Sequence, residues 1–236
     1  MKYPKINSLW KRNGWYYDEE KKKDIKHQEG RQDFIEGDYA CEEFALIKKW
    51  QVQEKIDGTN IRINAKTRPF GAASSGYVMD VSIHGRNEDS QIPRNIVEVC
   101  EKIFTQAKII ECQDRYYDEK SCNIWFFGEG YGPRIQKGGG NYRSDVGFIL
   151  FDVCANGVWL TRDKVSFIAE KLGIPTPPII GYMTEEEVVA YVKSNPKSLC
   201  SEREQIMEGV ICRTEPLLLC RNREPLMMKL KCKDFV

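Results

Sequence analysis

Short runs of apolar residues, many β-branched or aromatic and some alternating with polar ones, follow one another along the chain. This is a strand-like pattern. It predicts strands over Trp50–Glu54, Ile61–Ala65, Tyr77–Ile83, Ile124–Phe127, Phe148–Val153, Val158–Thr161, Gly209–Arg213 and Met227–Lys231. Three segments carry helical spacing instead. Asn95–Ala107 follows Pro93 and sets Ile96, Val99, Cys100, Ile103 and Phe104 on one face. Arg162–Leu172 stops at Gly173, a natural residue for the left-handed position after a helix. Glu185–Lys193 starts from Thr184, with Glu187 placed to complete a capping box, and stops at Asn195-Pro196. Strands outnumber helices and do not alternate with them, which predicts an α+β fold of mainly antiparallel sheets with flanking helices. The first 45 residues are polar and read as an N-terminal extension; the mixed run Asp18–Lys26 reads as a solvated loop or an exposed helix face. Ile174–Pro178 reads as an exposed turn beside a sheet.

Composition narrows the class. The chain has 236 residues, 41% hydrophobic and 30% charged, enough to bury a real core. It has no apolar run long enough to span a membrane and no signal-peptide core near Met1, so a cytoplasmic protein is expected. Lysine and arginine number 36 against 35 acidic residues, which argues against nucleic-acid binding through bulk charge but leaves room for a local basic groove. The nine cysteines include no CxxC pair and only two histidines accompany them, so neither a thiolate zinc site nor a disulfide framework is expected.

Candidate chemistry begins with Glu54-Lys55-Ile56-Asp57-Gly58-Thr59-Asn60, between two predicted strands. A lysine nucleophile must first lose its proton. From a pKa of about 10.4 this costs roughly 4 kcal/mol near pH 7.5, which cationic neighbours, burial or a metal can supply. Taken alone, KxDG is a weak signal. Further segments follow in order: Gly85-Arg86, Phe127-Gly128-Glu129-Gly130, Phe148-Ile149-Leu150-Phe151-Asp152-Val153, Glu208-Gly209-Val210-Ile211 and Lys229-Leu230-Lys231. Lys229 and Lys231 alternate with Leu230, so both ammonium groups face one side of a strand. Other features carry less. Gly71–Gly76 holds Ser74 and Ser75 without a GxSxG elbow, and His84 reads as a strand-end residue. Lys137-Gly138-Gly139-Gly140-Asn141 looks like a phosphate loop but lacks the GxxxxGK[ST] order, and reads as a loop over nucleic acid.

The ordered series resembles the covalent nucleotidyltransferases: ATP-dependent DNA ligases, RNA ligases and mRNA capping enzymes. It is most similar to the nick-sealing bacteriophage type 2 RNA ligases, whose lysine motif ends in Gly-Thr-Asn, and Gly132-Pro133-Arg134-Ile135-Gln136-Lys137 also looks like theirs. The resemblance runs from Tyr3 to Phe235 and implies one nucleotidyltransferase domain over 1–236. It implies an ATP-dependent RNA ligase, acting as a monomer on RNA ends or nicks, RNA/DNA hybrids included, through AMP carried on Lys55 and then on the 5′ end. By the same resemblance Asp57, Glu129 and Glu208 would hold the water of Mg²⁺ or Mn²⁺, and Arg86 would contact ribose or phosphate. Phe151 would lie on the adenine; Glu54 and Asn60 would line the nucleotide site; Lys229 and Lys231 would meet phosphates and lower the pKa of Lys55. Viral origin stays open. Two departures bear on this. Asn60 stands where DNA ligases and capping enzymes usually have arginine, and only Cys232–Val236 follow the last motif, where relatives append a second domain, so independent nick recognition is in doubt. A DNA ligase, a capping-type guanylyltransferase and a nucleic-acid-binding module with a dead site remain alternatives.

Overall fold

The computed structural model describes residues 1–12, 15–18, 23–26, 34–69, 77–112 and 122–235. The stretch 70–76, with Ser74 and Ser75, lies outside them. The chain divides into two compact units, one comprising Met1–Pro4, Glu54–Pro178 and Lys197–Met207, the other Lys5–Gln53, Ile179–Pro196 and Glu208–Val236.

The second unit holds β1 (Asn7–Ser8), β2 (Trp10–Arg12), β3 (Trp15–Asp18), β4 (Lys23–Lys26), β5 (Phe34–Tyr39) and most of β6 (Trp50–Lys55). A 3-10 turn over Glu42–Leu46 buries Phe44 edge-on against Trp50, ring centroids 5.7 Å apart. Within the run Asp18–Lys26 the described residues depart from the loop or helix expectation: Asp18 pairs with Lys23 and Lys23–Lys26 form a strand antiparallel to Trp15–Asp18, while 19–22 lie outside the described residues.

The first unit holds β7 (Thr59–Pro69), β8 (Tyr77–His84), α1 (Arg94–Ile103), α2 (Gln106–Cys112), β9 (Asn123–Tyr131), α3 (Gly139–Tyr142), β10 (Gly147–Ala155), β11 (Val158–Trp159) and α4 (Arg162–Leu172). Its sheet runs β11-β10-β9-β7-β8, with every neighbouring pair antiparallel. Alternation decides what each face carries. Ile61, Ile63, Ala65, Ile124, Phe126, Phe148, Leu150 and Val153 point to one face and form a core with Ile96 and Cys100 of α1, Ile109 of α2 and Val165 of α4. The helix expected over Asn95–Ala107 is two helices. Phe104 leaves helical geometry at φ −94, ψ 54, and in α2 the Lys108 N–H donates to the Thr105 hydroxyl and the Ile109 N–H to the Thr105 carbonyl. Splitting the run lets both helices bury a face on one sheet.

The remaining elements, in the second unit, are β12 (Ile179–Met183), α5 (Glu185–Lys193), β13 (Gly209–Arg213) and β14 (Met227–Lys231). The larger sheet there runs β1-β14-β13-β6-β12. β1 pairs in parallel with β14, whereas β13–β14 and β6–β12 are antiparallel. The capping box of α5 is present, Thr184 Oγ1 accepting from Glu187 N–H and the Glu187 carboxylate from Thr184 N–H. Gly173 ends α4 in the left-handed region at φ 71. Ile174–Pro178 lies beside the sheet strands as expected, though with Pro177 buried: Leu150 N–H donates to the Pro175 carbonyl (2.9 Å) and Glu54 N–H to the Pro178 carbonyl (3.1 Å). All nine cysteines are free thiols. Among the described residues no helix is long and apolar enough to cross a membrane.

Candidate nucleotidyl-transfer site

Lys55 ends β6, half-buried, and the chain turns through Ile56-Asp57-Gly58 into β7. The turn is pinned at each residue. Ile56 is 4% exposed and packs with Tyr131, Tyr142 and Ile149. The Asp57 amide donates to the Tyr142 hydroxyl (3.2 Å), and Gln136 Nε2 donates to the Gly58 carbonyl (3.1 Å). Gly58 is required by space. A Cβ there would lie 2.4 Å from the Gly130 carbonyl oxygen and 2.7 Å from Glu129 Cγ. Residues about seventy positions apart in sequence are thus brought into contact, the lysine motif against the Glu129 motif.

β7 and β9 continue the arrangement. Asn60 sits opposite Glu129 and Ile149 flanks Glu129 on the other side, so Asn60, Glu129 and Ile149 form one row across the sheet. This is the face turned away from α1, α2 and α4. Among the described residues the buried Asn60 Oδ1 atom has no hydrogen-bond partner, an acceptor beside a carboxylate that suits a hard cation or one of its waters. Among the described residues no three His, Cys, Asp or Glu side chains gather into a metal cage.

Phe148 and Phe151 separate cleanly. Phe148 is 1% exposed in the helix-covered core. Phe151 falls at a β-bulge, where the register jumps between Leu150 and Asp152, and is half-buried. A bulge re-aims a side chain. The Phe151 ring packs edge-on against Tyr3, centroids 4.9 Å apart, and Tyr3 also touches Phe127 (5.0 Å), which shares the face of Glu129. The Tyr3 hydroxyl donates to the buried Asp152 carboxylate, and Arg162 Nη1 donates to the Phe151 carbonyl (2.7 Å), so the bulge is held from two sides.

Glu54 and Lys55, adjacent on a strand, point to opposite faces. The Glu54 carboxylate is 1% exposed and accepts from the Ser198 hydroxyl and the Leu199 N–H (2.7 Å). Burial raises its pKa, against the lowering effect of those donors. The neighbouring Cys200 thiol is pushed up to about 12, first by burial and then by Glu54. Arg86 is exposed just after β8. Beneath it the Gly85 carbonyl accepts from Arg62 Nε (2.7 Å), and Arg62 Nη1 donates to the Met1 carbonyl (2.6 Å).

The second unit carries the other three expected residues. Met228 and Leu230 are fully buried, while Lys229 and Lys231 stand half-buried on the opposite face of β14. Lys231 Nζ lies 2.6 Å from Glu208 Oε1, and the Cys232 N–H donates to the Glu208 carbonyl (3.0 Å). Gly209 faces Lys231 in the ladder, where a Cβ would meet the Leu230 carbonyl oxygen at 2.1 Å. Glu208 and Lys231 are therefore brought together.

Sequence reasoning missed the residues that hold these groups in place: Tyr3, Tyr142 and Ser198. Each lies far along the chain from the group it holds, and none carries a local pattern. Gln136 stood inside a quoted motif but without a role.

Comparison with known proteins agrees with the fold. Structures of the Naegleria gruberi RNA ligase superpose on the chain at low sequence identity. A lysine-to-alanine variant with ATP and Mn matches over 97% of this chain and 61% of its own, at 17% identity and a TM-score of 0.53. An apo aspartate-to-alanine variant matches over 80% and 50%, at 18% identity and a TM-score of 0.51. A form with PPi gives 18% identity and a TM-score of 0.50 over 78% of this chain and 49% of its own. At this identity the likeness shows a shared fold, and the chain spans about half to three fifths of that ligase's length. No curated protein matches. The RNA ligase family model matches residues 48–231, most of the chain and all the motif segments from Lys55 to Lys231, and the chain belongs to the RNA ligase family.

Proposed function

We propose that this chain is an ATP-dependent RNA ligase that forms a covalent AMP adduct on Lys55. The observation that most supports this is the contact of the Lys55-Asp57-Gly58 turn with Glu129-Gly130, which only glycine at 58 allows. Lys55 Nζ attacks the α-phosphorus of ATP; the N–P bond forms, the bond to the β-phosphate oxygen breaks, and pyrophosphate leaves. A 5′-phosphate oxygen then takes the AMP from Lys55, and a 3′-hydroxyl displaces AMP to close the strand. Such steps depend on positioning and charge. Tyr142, Gln136 and Ile56 hold the turn that carries Lys55. Phe151 offers its face to the adenine, Arg86 meets ribose or phosphate, and Lys229 and Lys231 meet phosphate oxygens. Glu54 anchors the 198–200 segment beside the nucleotide site. Asp57, Glu129, Asn60 and Glu208 would hold the water of Mg²⁺ or Mn²⁺, which when bound neutralises charge on the phosphates. We take the protein to act as a cytoplasmic monomer on RNA nicks, RNA/DNA hybrids included.

The test is incubation with labelled ATP or GTP, followed by sealing of nicked RNA and nicked DNA. Labelling by ATP and sealing of RNA is expected. Labelling by GTP alone would favour a capping-type guanylyltransferase, and preferential sealing of DNA a DNA ligase. No labelling at all would leave an inactive binding module.

A further inference from the structure

We infer that Arg134 and Lys137 form a phosphate-gripping platform for the RNA strand beside the Lys55 turn; the inference rests on the proposed ligase activity. The loop Gly132–Gly138 is built rigidly. Its base is closed by the Ile135 N–H to the Gly132 carbonyl (3.3 Å) and by the Gly139 N–H to the Gln136 carbonyl (3.0 Å). Ile135 packs against the helix-covered core and Gln136 bonds to Gly58. Those two anchors leave Arg134 and Lys137 exposed, and among the described residues neither has an ion pair or hydrogen bond. No acidic residue occurs from Gly132 to Ser144.

Two features separate this loop from an ordinary solvated stretch. Arg134 is held at φ 65, a left-handed conformation that glycine would adopt freely and arginine only at a cost. An outlier kept beside a catalytic turn points to a use for the side chain. The second feature is local charge. The adjoining segment 197–207 balances Lys197 and Arg203 against Glu202 and Glu204, with Lys197 and Glu204 paired at 2.7 Å. It neither adds to the two cations nor cancels them. The Gln136–Gly58 hydrogen bond sets this loop directly beside the turn that carries Lys55, so its two cations lie next to where a strand end must be joined. A loop backbone already held in place has less freedom to lose on binding, and a chain with net charge +1 has no bulk attraction to draw on.

The experiment measures direct binding of a 5′-phosphorylated RNA oligomer, and of DNA of the same sequence, to wild type, Arg134→Ala, Lys137→Ala, the double variant and Arg134→Lys. Binding is followed from about 50 to 200 mM salt, the range over which phosphate contacts weaken most visibly. Each alanine should flatten the slope of log affinity against log salt by about 0.7–0.9, as one lost phosphate contact does. Arg134→Lys should keep the wild-type slope. Labelling with ATP in the absence of RNA should change less than twofold, because the loss falls on the nucleic acid. A double variant with wild-type affinity and slope overturns the inference, as does a change confined to DNA. A double variant that loses labelling as severely as RNA binding also overturns it, since the loop would then serve only the Lys55 turn. A wild type that binds RNA with the expected slopes yet takes no label leaves the platform standing and removes the ligase reading.

Discussion

Gly58→Ala isolates the contact on which the site is built. The added methyl would sit 2.4 Å from the Gly130 carbonyl oxygen, 2.7 Å from Glu129 Cγ and 3.2 Å from the Gly130 carbonyl carbon. Glu129 Cγ could swing aside, but the oxygen belongs to the middle strand of a five-stranded sheet, hydrogen-bonded on both flanks. The turn must therefore yield. Overpacking of this kind costs about 1–3 kcal/mol, which for a chain of this size lowers Tm by roughly 2–12 °C. The catalytic loss should be far larger in proportion. Moving Lys55 by even ~1 Å from its attack position can cost about a hundredfold in rate. The assay pairs a thermal melt with the time course of labelled AMP uptake, at a temperature where both proteins are folded. A rate loss near a hundredfold with a modest drop in Tm is expected. A variant with wild-type rate and wild-type Tm would refute the contact.

Other predictions follow from neighbouring groups. Glu54 has a folded pKa raised by burial, so its contribution to stability is fully present below the unfolded value of about 4.3 and is lost as pH rises through the folded value. The Tm advantage of wild type over Glu54→Gln should therefore be largest in acid and shrink toward neutrality; a difference that grows with pH would contradict it. Phe151→Ala should weaken ATP binding by about 1–3 kcal/mol of stacking, or roughly 5- to 150-fold, whereas Phe151→Leu retains much of it. If alanine lowers only Tm, Phe151 is a core residue. Glu208→Gln removes the partner of Lys231 at 2.6 Å, with side chains 25% and 14% exposed, so a Tm loss of a few degrees (about 1 kcal/mol) is expected beside a larger loss of metal-dependent rate. Unchanged rate and metal affinity across an Mg²⁺ titration would remove Glu208 from the metal's service.

Where strands meet a core, the sequence is legible. The run around Ile61 alternates because one face meets a core, the runs around Phe126, Phe148 and Val210 are apolar on both faces because both are buried, and all these strands lie where expected. Legibility ends where structure depends on distant partners. β12 escaped notice because Ile179 and Tyr182 are exposed edge residues without alternation. The break at Phe104–Thr105 carries neither glycine nor proline, only a threonine whose capping role depends on what the next turn does. The bulge that gives Phe151 its own direction is invisible in FILFDV, where Phe148 and Phe151 look alike. The motif residues stand out in the sequence, and the structure packs the Lys55 turn against Glu129 and Gly130. The groups that hold it, Tyr3 on Asp152 and Tyr142 on Asp57, join positions 149 and 85 residues apart, and no local pattern encodes such a pair.

The central claim is that Lys55 carries AMP, and one measurement meets it directly. Wild type and Lys55→Ala, both shown to be folded by the same melt, are incubated with α-labelled ATP and a divalent metal. Protein-bound label is then challenged with acid and with alkali. A phosphoramidate on lysine should be acid-labile and alkali-stable, present in wild type and absent from Lys55→Ala. Label of wild-type amount and rate on the alanine variant would contradict the account.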